Sequence, residues 1–386
     1  MRGLRKKAVA LAAAAALVMT SLVGCAGSVD NSEVVATVGE SEITAGVANF
    51  YIRFQQASME GYYMSYLGED MWTQEVSDGV TYEDNMKDSV MESLQQFYIL
   101  RDHMEEYNVS LTDEEKASIE EAAKAFDEAN TDNAKKKVSG DKAIVQEVLE
   151  LMTISEKMYD AMIADVDTEV SDEEAAQKAM QYVLFATSTT EEDGSTTEMS
   201  EEEIATVKAN AEDCLAKAKE NGNLEAYATE AGLEAKKQTF DAESTSLAEE
   251  VIKAADALGE GEFAEVIETD SGYYVVQLTS LLDREATDTK KESIVKERQN
   301  DKYQEIFDAW KEATEITVHE KVWKKISLQG LGVTAKTVEE ADESEDTTDV
   351  NEDTASETED TASETEDTAS ETEDTASETE DTNAEK

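Results

Sequence analysis

Apolar side chains recur at helical spacing in four stretches between residues 45 and 165, i, i+3, i+4 and i+7 in two of them and i, i+4, i+7 and i+8 in the other two, which puts each set on one helical face. Val47, Phe50, Tyr51 and Phe54 form the first set, and Val90, Leu94, Phe97 and Tyr98 the second. Ile119, Ala122, Ala123 and Phe126 follow, then Ile144, Val148, Leu151 and Met152. Ahead of them, residues 34–44 are β-rich and interrupted at Gly39-Glu40, which predicts a short hairpin.

The pattern changes after Val170-Ser171-Asp172. Residues 181–187 read as a short strand, followed by a polar loop through Gly194. Ser200 and Glu203 form a capping-box pair that opens a helix with Ile204, Val207, Ala211, Leu215 and Ala218 inward. A second helix over 224–231 stops at Gly232, and a strand is expected around 238–240. Ser246 and Glu249 repeat the capping signature before a helix that carries Leu247, Val251, Ala254 and Leu258. Strands at 265–269 and 273–279 flank a turn at Asp270-Ser271-Gly272. This order, β-α-α-β-α-β-β, is that of a small α+β domain. From Thr287 the chain is helical again, with Tyr303, Ile306, Phe307 and Trp310 on one face. That face needs a partner, and the helices at the front are the most economical one. The expected organisation is therefore a helical domain formed by residues 34–170 and 287–326, with residues 176–283 inserted into it.

Both ends differ from the middle. Arg2, Arg5, Lys6 and Lys7 precede an uncharged, alanine-rich run over 8–19 that is short for a membrane span. It leads to Leu22-Val23-Gly24-Cys25, which resembles a bacterial lipoprotein signal. Residues 1–24 are then a signal peptide, Cys25 the lipidated residue and 25–33 a tether. At the other end, Glu-Asp-Thr-Ala-Ser-Glu-Thr repeats four times from Glu352, and residues 339–386 hold 22 acidic side chains and one lysine. With no large apolar side chain to offset ordering entropy, this segment is expected to be a disordered tail.

The formal net charge is −58, from 91 acidic and 33 basic residues. Without tail and leader, residues 25–338 still carry 69 acidic and 28 basic side chains, net −41. Nucleic acid is thereby excluded as a partner, because phosphates need a basic face. Two histidines and two cysteines leave little for a metal site or a histidine-centred triad. His103 and His319 have no ligand-spaced partners and read as surface residues, and Cys214 reads as a small core residue. No cofactor and no metal are expected. Proline is absent altogether, where an ordinary composition of ~5% would give roughly nineteen.

Taken in order, these segments resemble the parvulin-type peptidyl-prolyl isomerase lipoproteins, the PrsA-like foldases, with SurA-like chaperone relatives, over roughly residues 33–330. Thr269-Asp270-Ser271-Gly272-Tyr273-Tyr274-Val275-Val276 matches the family's last hairpin, which reads Gly-x-His-Ile-Ile after a polar turn. Residues 255–262 match its Ala-x-x-Leu-x-x-Gly-Glu segment with one shift, and Gln181-Tyr182-Val183-Leu184 its first strand, Arg-His-Ile-Leu. The hairpin at 34–44 and the helix from Val47 resemble the chaperone domain. The resemblance implies a helical SurA/PrsA-like domain with an inserted parvulin-like unit. It also places Tyr182 and Tyr274 where the family has its two histidines, and Leu247 and Val251 at the cup that receives proline, with Phe240 as a third binding residue. The family's Ser-Asp-Cys/Ser loop and Gly-Gly-Asp-Leu-Gly segment have no room in 232–237.

Rotation about an X–Pro bond needs no covalent catalyst, only relief of a barrier near ~20 kcal/mol. Two phenols on neighbouring strands could share a hydrogen bond as imidazoles do. Three functions stay open at this point. One is a lipid-anchored foldase or holdase on the extracytoplasmic face of the cell membrane, taking unfolded or newly exported polypeptides. The second is an active isomerase using Tyr182 and Tyr274, and the third a ligand-binding or adhesive surface lipoprotein. The first draws support from residues 50–104, which hold ten of 24 aromatics and six of 13 methionines. Within them Tyr62, Tyr63, Met64, Tyr66, Met71 and Trp72 show no clean helical period and suit a promiscuous binding surface.

Overall fold

A computed structural model describes residues 29–68, 70–190 and 195–335, together with the backbone of Leu17–Val18. Apart from Leu17–Val18, the expected leader lies outside the described residues, as do Cys25 and the acidic tail. Strands β1 (Val34–Val38) and β2 (Ser41–Thr44) pair about a turn at Gly39-Glu40, and Thr44 caps helix α1 (Ala45–Leu67) by accepting from the Val47 N–H at 3.3 Å. Helices α2 (Tyr82–Asp102), α3 (Asp113–Ala129), α4 (Asp132–Val138) and α5 (Lys142–Met162) follow, α2 and α3 opened by complete capping boxes. The four predicted apolar faces lie on α1, α2, α3 and α5 and turn into one core, with Phe50 and Phe126 meeting edge to face at 5.3 Å.

An α+β unit comes next: β3 (Lys178–Ala186), α6 (Glu201–Asn221), α7 (Leu224–Glu230), β4 (Lys236–Phe240), α8 (Glu249–Asp256), β5 (Ile267–Thr269) and β6 (Gly272–Ser280). The expected β-α-α-β-α-β-β order is present, and the antiparallel sheet runs β5-β6-β3-β4. By the period of two, Met180, Tyr182, Tyr274, Val276 and Leu278 face α8, while Val183, Phe185, Tyr273 and Val275 face α6 and α7. Gly272 is obligatory at the head of β6. Its φ is +132°, and a Cβ there would lie 2.2 Å from the Phe185 carbonyl oxygen.

Two local expectations need correction. The polar loop after β3 contains a small hairpin, Ser188–Thr190 with Thr196–Glu198. Ser246 does not cap α8: the N-cap is Ala248, with no side-chain bond, whereas Ser200 caps α6 as expected.

Helix α9 (Arg284–Ala313) returns to the first core, where Tyr303 and Phe307 are buried and Ile306 and Trp310 pack beside them. Strand β7 (Ile316–Val318) then pairs with β1, completing a sheet of order β7-β1-β2. Asp241 stands where the α+β unit meets α9. It accepts from the Gln177 amide at 2.8 Å and the Ser244 hydroxyl at 2.9 Å, with the Lys290 ammonium at 3.2 Å.

After helix α10 (Glu320–Trp323), residues 326–333 lie across α1 and α2, burying Ile326, Leu328, Leu331 and Val333. Buried polar side chains hold this strap. The Arg53 guanidinium donates to the Ser327 carbonyl at 2.6 Å and to Gln56, whose amide in turn donates to Glu60 and to the Leu331 carbonyl, both at 2.7 Å. Glu60 also accepts from the Trp72 indole and the Val333 N–H, both at 2.8 Å, while Glu83 accepts from the Leu328 N–H at 2.9 Å. Burial lowers the Arg53 pKa to about 10, against the opposing pull of Glu60 and Glu83.

Candidate functional site

The face of the inserted sheet beneath α8 gathers all five residues expected to act on a prolyl peptide. Tyr182 and Tyr274 stand on adjacent strands but not opposite one another: Tyr182 pairs with Val276 and Tyr274 with Leu184. The tyrosines are therefore diagonal neighbours, with ring centroids 5.7 Å apart and planes tilted by 40°. The shared phenolic hydrogen bond conceived from the sequence is not formed, and neither hydroxyl has a partner among the described residues. Burial raises the Tyr274 pKa, with Tyr182 adding to the effect.

Little of this face is open. Tyr182 is 9% exposed and Tyr274 6%, while Val251 and Phe240 are completely buried. Helix α8 turns Val251, Ile252 and Ala255 onto the sheet, while Leu247, just ahead of it, is half-buried at the margin together with Leu184, Ala248 and Ile267. The face works as a core. Met180, Val276 and Leu278 share it. An open cavity of about 400 Å³ lies on the other face of the sheet instead, lined in part by Phe185, Val207, Cys214, Tyr227 and Leu233. Cys214 is buried there, with its thiol pKa raised by burial and then by Asp213.

The sequence pattern of the PPIC-type PPIase domain family matches residues 189–291. The α+β unit is a parvulin-type domain. The match begins after β3, so it includes Phe240, Leu247, Val251 and Tyr274 of the parvulin-type domain but not Tyr182. No curated protein matches the chain. Among solved structures it is similar to the foldase PrsA of Lactococcus lactis, with 17% identity, a TM-score of 0.29, and coverage of 76% of this chain and 98% of that one. PrsA of Streptococcus pneumoniae gives 22% identity, a TM-score of 0.26, and coverage of 66% and 97%. A chain from the work on PEB4 and Cj1289, SurA-like chaperones of Campylobacter jejuni, gives 11%, 0.26, and coverage of 74% and 98%.

The second candidate surface is on the helical part. Helix α1 continues through the stretch that lacked a period, and its outer half bears Tyr62, Tyr63 and Tyr66, exposed by 69%, 42% and 84%. The Tyr62 and Tyr63 rings meet edge to face at 4.8 Å, and Tyr66 lies one turn on. Met71 and Trp72, read from the sequence as part of the same surface, are buried against the first core. His103 is not a free surface residue either: it stacks on Trp310 at 4.0 Å, whereas His319 is exposed. Among the described residues no group of three metal-ligating side chains comes together, and no helix is long and apolar enough to cross a membrane.

Proposed function

We propose that this protein is a foldase of the holding kind, anchored through a lipid on Cys25 to the extracytoplasmic face of the cell membrane, where it binds unfolded secreted polypeptides. The single observation that carries the reading is the trio of exposed tyrosines on α1. Large aromatic side chains left in water at the end of an otherwise buried helix mark a contact surface. Residues 34–170 and 287–326 act as the holding domain, and residues 176–283 as an isomerase-like domain that does not accelerate prolyl rotation.

The second half of that statement rests on the face beneath α8. A prolyl peptide needs an apolar cup and a polar group beside its carbonyl. Here the cup positions Val251 and Phe240 are completely buried, and the two tyrosine rings are packed into the same cluster with their unpartnered hydroxyls reaching solvent. The test uses the full chain in two assays. Suppressed aggregation of an unfolded client, without acceleration of cis–trans exchange in a prolyl peptide, is the expected result. Acceleration that disappears in Tyr182→Phe/Tyr274→Phe would replace this reading with that of an active isomerase.

A further inference from the structure

Charge around the tyrosine trio narrows the kind of chain it accepts. Between Arg53 and Lys87 the sequence holds seven acidic residues and no basic one. Two of the seven, Glu60 and Glu83, are consumed by the buried strap bonds. Asp70, Glu75 and Asp78 are exposed and have no ion-pair partner among the described residues. Both bases that bound the stretch are occupied: Arg53 is buried, and the Lys87 ammonium donates to the Trp323 and Ile326 carbonyls at 3.1 and 2.7 Å. Along the chain, the tyrosines are therefore flanked by exposed carboxylates without ion-pair partners and by no available basic side chain between Arg53 and Lys87.

We infer that the Tyr62–Tyr63–Tyr66 surface selects cationic segments of unfolded polypeptides, Lys- or Arg-bearing stretches interspersed with apolar residues. This rests on the holding function proposed above and names its client class. Exposed tyrosine faces attract ammonium and guanidinium groups through the ring quadrupole. The exposed carboxylates, which have no ion-pair partner among the described residues, raise the local concentration of cations and repel acidic chains. The net −41 of residues 25–338 acts in the same direction at longer range. An anionic segment of equal hydropathy would gain the ring contacts but meet these carboxylates unpaired.

The experiment measures fluorescence anisotropy of two labelled, unstructured 20-residue peptides with identical apolar positions. One carries lysine and arginine at the polar positions and the other glutamate. Each is titrated with the full-length protein and with the full-length Tyr62→Ser/Tyr63→Ser/Tyr66→Ser variant, whose fold is checked by circular dichroism. Full-length chains are needed because the acidic tail also attracts cations, and it is the same in both proteins. The expected result is at least about a tenfold preference of the parent for the cationic peptide, reduced in the variant and shrinking as salt shortens the Debye length. A preference that persists unchanged in the variant would assign selectivity to the tail and overturn the inference. Equal binding of both peptides, lost together in the variant, would also overturn it while leaving the holding function intact. Binding of neither peptide, with no suppression of client aggregation, would remove both.

Discussion

Replacing Glu60 tests the buried strap, which fixes the base of the tyrosine-bearing half of α1. Its carboxylate accepts from Gln56, Trp72 and the Val333 backbone. In Glu60→Ala, Gln56 keeps the Leu331 carbonyl as acceptor, so the donors left unsatisfied are the Trp72 indole and the Val333 N–H. Each costs about 1–3 kcal/mol when buried without a partner. Arg53, already short of one partner at Nε, loses its nearest counter-charge as well. The sum is roughly 2–6 kcal/mol, a large share of the ~5–15 kcal/mol that holds an ordinary domain together. Glu60→Gln keeps one carbonyl acceptor but sets its own amide N–H groups against the donor that loses its partner, so it too should cost at least about 1–3 kcal/mol. Urea unfolding followed by tryptophan fluorescence measures both, because Trp72 is inside the network. Both variants are expected to be less stable than the parent. A loss below about 1 kcal/mol in Glu60→Ala would refute the network as a structural anchor.

Three further expectations follow from other parts of the molecule. Burial raises the Asp241 carboxyl, but bonds from Gln177, Ser244 and Lys290 outweigh this and hold its pKa at about 2. A depressed folded-state pKa adds stability that is present above the ordinary value of 3.8 and lost as pH falls to about 2. Asp241→Asn should therefore flatten the acid limb of the melting profile between those values, and an unchanged limb would remove Asp241 from it. Tyr182→Phe/Tyr274→Phe deletes two hydroxyls without partners, so the unfolding free energy from urea titration should change by less than about 1 kcal/mol; a larger loss would mean that one of the hydroxyls is hydrogen-bonded. With no proline in the chain, double-jump refolding amplitudes should not depend on time spent unfolded, and a slow phase that responds to an added prolyl isomerase would contradict this.

Helices with one buried face were legible because the core imposes the 3.6-residue period. Val90, Leu94 and Tyr98 are buried where the spacing puts them. Helix α1 was harder to read. Beyond Glu60 its inner face is carried by Leu67, while the exposed Tyr62, Tyr63 and Tyr66 stand among apolar positions and hide the helical period. The Ser-x-x-Glu pattern marked α6 correctly and α8 wrongly, since α8 begins with its cap at Ala248. The diagonal placing of the two tyrosines depends on strand register, which alternation does not supply. The strap at 326–333 was invisible because its partners Arg53, Gln56 and Glu60 are some 270 positions away, as Arg53 to Ser327 shows at 274.

The most direct measurement of client holding on α1 is site-specific photocrosslinking to an unfolded polypeptide. A photoreactive phenylalanine analogue is placed at Tyr66 in one full-length protein and at Leu247, the margin of the isomerase-like face, in another. Capture of the client from position 66, with little from 247, is the expected result. Strong capture from 247 and none from 66 would contradict it, and would move the client from the tyrosines of α1 to the parvulin-type domain.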